Sequence, residues 1–263
     1  MSEKKTLGSL ELNRIYQMDC LEGMKLLHDK SIDMILCDLP YGTTACKWDT
    51  IIPFEPLWEQ YERIIKDNGA IVLTASQPFT TALISSNIKL FRYEWIWKKT
   101  KATLFQHANR MPLRNHENIC VFYKKLPTYN PQKVFVGIKD KRKTFTKRVN
   151  NSEFTTGKLE VQTRKDDGWR FPTTVQEFNN SDKTKQVHPT QKPVALFEYL
   201  IKTYTNEGEI VLDNCMGSGT TAVAAVRTNR KFIGFELEPE YVSIANQRLE
   251  NVYDELTEGN DTE

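Results

Sequence analysis

Strand-like and helix-like segments alternate along most of this 263-residue chain, and that alternation restricts the possible folds more than any other feature. Seven short runs, rich in β-branched and aromatic residues and bounded by polar or turn residues, are predicted as strands: 14–19, 32–38, 69–75, 92–99, 117–124, 209–214 and 231–237. Helix periodicity fills most of the intervals. Leu57, Tyr61 and Ile64 share one face of 54–66, and Val194, Leu196, Phe197, Leu200 and Ile201 share one face of 193–204. An Ala-rich helix is predicted over 219–228 and another over 238–251. Strands joined by helices build a doubly wound α/β sheet. No convincing helix separates 92–99 from 117–124, so these two are expected as an antiparallel edge pair.

The middle of the chain breaks this rhythm. Residues 124–170 carry 13 Lys or Arg against five acids, although the whole chain balances 36 Lys and Arg against 34 Asp and Glu. The tail 250–263 carries six acids and no base. The basic stretch is therefore expected as an inserted module of residues 125–185, between catalytic halves 1–124 and 186–263. Lysines and arginines packed this densely suit a phosphate backbone, whose release of counterions makes binding strongly salt-dependent. Aromatics at 123, 129, 135, 145, 154 and 169 can pack the small core of the module or fill the gap that a base leaves when it is turned out of a duplex.

Composition excludes several classes. No apolar run approaches the ~18–20 residues of a membrane span, and the start Met1-Ser-Glu-Lys-Lys lacks the apolar core of a signal peptide. The five cysteines form no C-x-x-C pair and no zinc spacing, so no metal is expected. Their odd number points to reduced thiols and a cytoplasmic location.

Three motifs carry chemistry. Gly217-Ser218-Gly219 follows the strand ending at Asp213 and opens a helix, whose N-terminal amides would face a ligand. Glu236 ends the next strand, where a carboxylate can accept hydrogen bonds from ribose hydroxyls. Thr220 follows directly, so neither G-x-G-x-x-G nor a P-loop lysine is present; a nucleoside fits better than a dinucleotide or a triphosphate. The second motif, Asp38-Leu39-Pro40-Tyr41-Gly42, ends the strand 32–38. A carboxylate, a neighbouring carbonyl fixed by Pro40 and a flat ring imply an amino group on a stacked base. The third, His188-Pro189-Thr190-Gln191-Lys192-Pro193, leads rigidly into a helix, with Pro193 suited to its first turn.

In that order, D-L-P-Y-G, H-P-T-Q-K-P and V-L-D-N-C-M-G-S-G-T-T resemble the permuted β group of amino-directed DNA methyltransferases, as do R-N-H-E-N-I at 114–119 and F-P-T-T-V at 171–175. The resemblance spans roughly residues 14–250. It implies a seven-stranded Rossmann-like methyltransferase sheet, S-adenosylmethionine as cofactor and double-stranded DNA as partner, and it admits a homodimer and a cognate restriction enzyme. It further implies that the target base is flipped into the pocket. Asp38 and the Leu39 carbonyl would hold the exocyclic amino group, with Pro40 fixing the turn and Tyr41 stacking on the base. Asp213, Gly217, Ser218, Gly219, Thr220 and Glu236 would hold the cofactor, with Asp19, at the end of strand 14–19, near its adenine. Gln191 and Lys192 would lie near its methionine end.

The chain departs from the family pattern twice. Leu39 stands where the adenine enzymes usually have Pro, leaving the carbonyl but less rigidity. Cys215 stands where an aromatic residue is commoner, removing a surface for the cofactor. Asp38, rather than Ser, at the head of the acceptor motif favours adenine N6 over cytosine N4, and the latter is the nearest alternative. An RNA or protein amide methyltransferase is a further rival, opposed by the basic module. A catalytically silent DNA-binding protein of the same fold is opposed by the intact Asp38, Tyr41, Gly217, Gly219 and Glu236.

Overall fold

The computed structural model of the chain describes residues 6–43, 46, 49–137, 167–180 and 191–260. Its first half contains β1 (Thr6–Leu7), β2 (Leu10–Glu11), β3 (Arg14–Gln17), α1 (Cys20–Lys25), β4 (Ile32–Asp38), α2 (Phe54–Ile64), β5 (Ile65–Ala75), α3 (Phe79–Ser86), β6 (Phe91–Thr103) and β7 (Arg114–Phe122). There follow β8 (Val134–Phe135), β9 (Trp169–Arg170), β10 (Val175–Phe178), α4 (Val194–Tyr204), β11 (Ile210–Asp213), α5 (Thr220–Arg227), β12 (Lys231–Glu236) and α6 (Pro239–Asn260).

Among the described residues the central sheet has eight strands, in the order β10-β6-β7-β5-β4-β11-β12-β3. All neighbours are parallel except β7, which runs antiparallel to both β5 and β6. This corrects two expectations. The sheet is eight-stranded rather than seven-stranded, and the antiparallel pair β6–β7 is not at the edge, because β10 adds parallel to β6 outside it. The added strand, Val-Gln-Glu-Phe, is four residues long and alternates exposed with half-buried positions, so it lacks the apolar run that marks the others. It lies inside the stretch 125–185 expected as an insertion, yet it pairs in the main sheet.

Helices cover both faces of the sheet, and strand alternation assigns each side chain to a layer. On β4 and β5, Ile35, Cys37, Ile71 and Leu73 face a core completed by Leu57, Trp58 and Tyr61 of α2 and Phe79 and Leu83 of α3. Met34, Leu36, Ala70 and Val72 face the opposite core, filled by Leu196, Phe197, Leu200 and Ile201 of α4, Ala222 to Ala225 of α5 and Leu249 of α6. Burial on both sides explains why I-D-M-I-L-C-D reads as a nearly unbroken apolar run.

Residues 131–173 form a second unit. In it β8 pairs antiparallel with β9, the Phe135 and Trp169 rings lie 5.3 Å apart, and Lys133 Nζ sits 4.5 Å from the centre of the Phe171 ring. Most of the basic stretch, 138–166, lies outside the described residues, as do the expected core aromatics Phe145 and Phe154. Tyr123 and Tyr129 belong to the larger unit, where Arg92 lies over the Tyr123 ring and Tyr129 packs near Tyr204.

Candidate active site

From β4 the chain crosses to β5 on one side, and from β11 it crosses to β12 on the other. The adjacent strands β4 and β11 therefore flank the point where the winding reverses, the place where doubly wound sheets bind ligands beyond their strand ends. Asp38 ends β4 and Asp213 ends β11. Beyond them opens a cavity of about 440 Å³ lined by Asp19, Asp38 to Tyr41, Gln191, Lys192, Asp213, Gly217, Ser218, Thr220 and Glu236, among others. Twelve of the thirteen site residues expected from sequence thus meet at one cavity. The exception is Gly219, which does not line it.

On the acceptor side, Asp38 is held by three donors. The Tyr41 hydroxyl donates to Oδ1 at 2.8 Å, the Thr74 hydroxyl donates to the same oxygen, and Lys192 Nζ donates to Oδ2 at 2.6 Å. An ionised carboxylate offers about four acceptor positions; one, on Oδ2, is left. The Tyr41 ring stacks on Phe79, with centroids 5.2 Å apart, and Lys192 Nζ lies 5.5 Å from its centre. The turn beyond is fixed by Asp49, which accepts from the amides of Gly42 and Thr43 at 2.8 and 2.9 Å. Leu39 is buried, which anchors the motif in the core.

Lys192 is 7% exposed. Burial opposes its charged form, but the Asp38 and Glu117 carboxylates outweigh that and push its pKa up to about 12. Glu117, on β7, lies 3.4 Å from Lys192 through Oε2 and accepts from Lys99 at 2.5 Å through Oε1. Burial likewise opposes its ionisation, and Lys192 and Lys99 outweigh it, so its pKa is lowered. Because β7 runs against the sheet, its N-terminal half lies at the ligand end of the parallel strands, which is how Glu117 reaches the site.

On the other side, the Gly-Ser-Gly loop is tied to three elements. The Gly217 amide donates to Glu236 Oε2 at 2.7 Å and the Glu238 amide donates to Oε1 at 2.9 Å, fixing that carboxylate at the cavity wall. Arg248 of α6 donates to the carbonyl and hydroxyl oxygens of Ser218, and Thr220 Oγ1 donates to the Lys192 carbonyl at 3.4 Å. The two glycines have different tasks. A Cβ on Gly217 would stand in open space, with the Cys215 carbonyl oxygen nearest at 3.9 Å. A Cβ on Gly219 would stand 2.8 Å from Ala245 Cβ of α6. Gly219 thus permits the close packing of α6 against the loop, a task beyond the one expected from its motif. The expected place of Asp19 is corrected. It does not end a strand but caps α1, accepting from the Leu21 and Glu22 amides while lining the cavity.

Asp213 accepts from the Cys215 amide at 3.0 Å and from the Thr221 hydroxyl, so its oxygens organise the loop. Burial pushes its pKa up to about 6 against those hydrogen bonds. An unfolded Asp titrates near ~3.9, so the folded chain takes up this proton first as pH falls. The contribution of Asp213 to stability is complete below the unfolded value and is lost as pH rises through about 6. Between about pH 7.5 and 5 the wild-type chain gains roughly 1 kcal/mol from this group, and Asp213→Asn is expected to lack that gain. Urea midpoints at the two pH values test this; parallel shifts in both proteins would exclude the titration.

The sequence reading passed over Thr74, Phe79, Asp49, Glu117 and Arg248. Glu117 alone carried a signal, as the acid in R-N-H-E-N-I. His188, Pro189 and Thr190 lie outside the described residues.

Over residues 32–247 the chain matches the DNA methylase family of N6- and N4-directed methyltransferases, and it belongs to that family. The type II methyltransferase M1.MboII of Moraxella bovis is 29% identical over 259 residues, which cover 90% of this chain and 96% of that protein. The crystal structure of an M1.HpyAVI–SAM complex superimposes with a TM-score of 0.60 at 25% identity, covering 89% of this chain and 98% of the other. PvuII DNA methyltransferase, described as cytosine-N4-specific, superimposes with a TM-score of 0.61 at 16% identity over 91% of this chain and 90% of its own, a likeness of fold. The chain is a DNA methyltransferase of the N6/N4 class, and the methyl donor of that class is S-adenosylmethionine. The residues present fit such a donor: Gly217 leaves open space where a Cβ would stand, and Glu236 is held at the cavity wall by two amides.

Proposed function

We propose that this enzyme methylates the exocyclic N6 amino group of an adenine flipped out of double-stranded DNA. The observation that carries the reading is Asp38, fixed by three donors at the cavity that Gly217 and Glu236 also line. Its one remaining acceptor position takes one N–H of an amino group, and the Leu39 carbonyl takes the other. The two together aim the nitrogen lone pair at the donor, so catalysis rests on orientation and on negative charge beside a nitrogen that becomes cationic. No cysteine nucleophile is needed. S-adenosylmethionine, when bound, supplies an electrophilic methyl group on a cationic sulfur. Glu236 takes its ribose, Asp19 lies toward its adenine, and Gln191 lies toward its methionine end. The basic segment within 124–170 contacts DNA phosphates and selects the site. The acidic head of D-L-P-Y supports adenine over cytosine.

The test is mass spectrometry of nucleosides from unmethylated duplex DNA incubated with the protein and isotope-labelled S-adenosylmethionine. Labelled N6-methyladenine is the expected product. Labelled N4-methylcytosine would keep the site and overturn the base. Label absent from DNA despite cofactor binding would overturn the assignment of DNA as acceptor.

A further inference from the structure

From Asp38, whose side chain is 26% exposed, the charges alternate in sign into the protein: Asp38, Lys192, Glu117 and Lys99 stand in a chain with contacts of 2.6, 3.4 and 2.5 Å. The side chains of Lys192, Glu117 and Lys99 are 8%, 12% and 9% exposed, so water screens them little. Two cations and two carboxylates sum to zero. Glu117 Oε2 is buried without a hydrogen-bond partner and has Lys192 as its ion-pair neighbour among the described residues. A carboxylate oxygen in that position costs stability, and the neighbour it has is a charge 3.4 Å away.

We infer that Glu117 is a positioning residue for methyl transfer, acting through Lys192 to keep the acceptor cluster neutral so that the site tolerates a cationic donor and a nitrogen becoming cationic. This rests on the reading of Asp38 and its cavity given above. Lys192 alone would set a full positive charge 2.6 Å from the carboxylate that must attract the amine. Glu117 cancels that charge from the far side of the ammonium, and Lys99 holds Glu117 in place. With Glu117 neutral, two cations face one carboxylate, and the surplus opposes both the sulfonium and the developing ammonium.

The two cofactor forms separate this role from a structural one, because S-adenosylhomocysteine lacks only the transferred methyl group and has a neutral sulfur in place of the sulfonium. Calorimetric titration of Glu117→Gln is expected to show S-adenosylmethionine binding weakened about tenfold, from one uncompensated charge at partly buried range. S-adenosylhomocysteine should stay within two- to threefold of wild type, and single-turnover methyl transfer should slow more than donor binding weakens. Glu117→Asp should restore much of the preference for the cationic form. Glu117→Gln combined with Lys192→Met, which removes one charge of each sign, should restore the affinity ratio of the two ligands without restoring the rate. Lys99→Gln should shift the ratio the opposite way. Equal losses for both ligands, or an unchanged ratio across these variants, would overturn the inference. Failure of the underlying reading looks different: wild type would bind neither ligand, or Asp38→Ala would keep its transfer rate.

Discussion

Asp38→Ala is expected to slow methyl transfer at least about a thousandfold, while S-adenosylhomocysteine binds within a few-fold of wild type. The substitution removes the proposed anchor of the amino group and the charge beside it. It leaves intact the Gly217–Glu236 and Ser218–Arg248 contacts that shape the other side of the cavity. Asp38→Asn keeps the shape of the side chain but removes its charge and one of its two accepting oxygens. It can still accept from Tyr41 and Thr74 through its carbonyl oxygen, but it presents an amide nitrogen to Lys192 or to the substrate. A rate close to that of Asp38→Ala would assign the effect to the Oδ2 position, its charge and its accepting lone pair together, and a rate close to wild type would make the shape of the side chain and its Tyr41 and Thr74 contacts sufficient. The measurement is single-turnover transfer to duplex DNA beside ligand titration. Retained transfer in Asp38→Ala would end its role in holding the acceptor, and loss of S-adenosylhomocysteine binding along with transfer would mean that the two sides of the cavity have been exchanged.

The second large effect sets two glycines of one loop against each other. Gly219 sits at φ +83°, and its missing Cβ leaves room for Ala245. Gly219→Val adds left-handed strain of about 1–2 kcal/mol to overpacking of about 1–3 kcal/mol. At roughly 2–4 °C per kcal/mol for a chain of this size, the midpoint should fall by about 4–20 °C, with α6 displaced. Gly217→Val carries similar backbone strain at φ +52°, but its side chain enters open space beside the cavity. It should lose less stability and far more ligand affinity. Thermal unfolding and titration on both variants decide the matter; the same pattern in both would contradict the division of labour between them.

The fold was largely legible because its strands are buried on both faces. The segment 32–38 was read with its exact ends for that reason, and 54–66 and 193–204 were read as helices within two residues. β10 escaped because an outer strand of four residues has one packed face and no continuous apolar run. α1 and α3 escaped because six and eight residues span barely two turns, too few for a period to declare itself. The helix expected to end at Lys66 instead stops at Ile64, where β5 begins without a linker.

At the site, local motifs revealed the residues that form a motif and hid those that serve one. Asp38 and Glu236 stand at strand ends in recognisable company. Thr74 and Glu117 reach the acceptor from β5 and β7, and only strand order, which spacing along a chain does not encode, brings them there. The resemblance places Lys192 with Gln191 toward the methionine end of the cofactor; in the structure its ammonium group donates to Asp38. The packing task of Gly219 is hidden because its partner, Ala245, lies in a helix whose approach the sequence does not announce.

The meeting of β4 with β11 also has a meaning in time. The register pairs Met34 with Val211 and Ile35 with Leu212. A ribosome adding about 5–20 residues per second delivers the second partner roughly 10–35 s after the first. Through that interval one edge of a strand made for complete burial has no neighbour, and an open apolar edge is a template for joining other chains. Synthesis of this enzyme therefore has a vulnerable stage that ends only when its last quarter emerges, and a chaperone that shields β4 until then would raise the yield of active molecules.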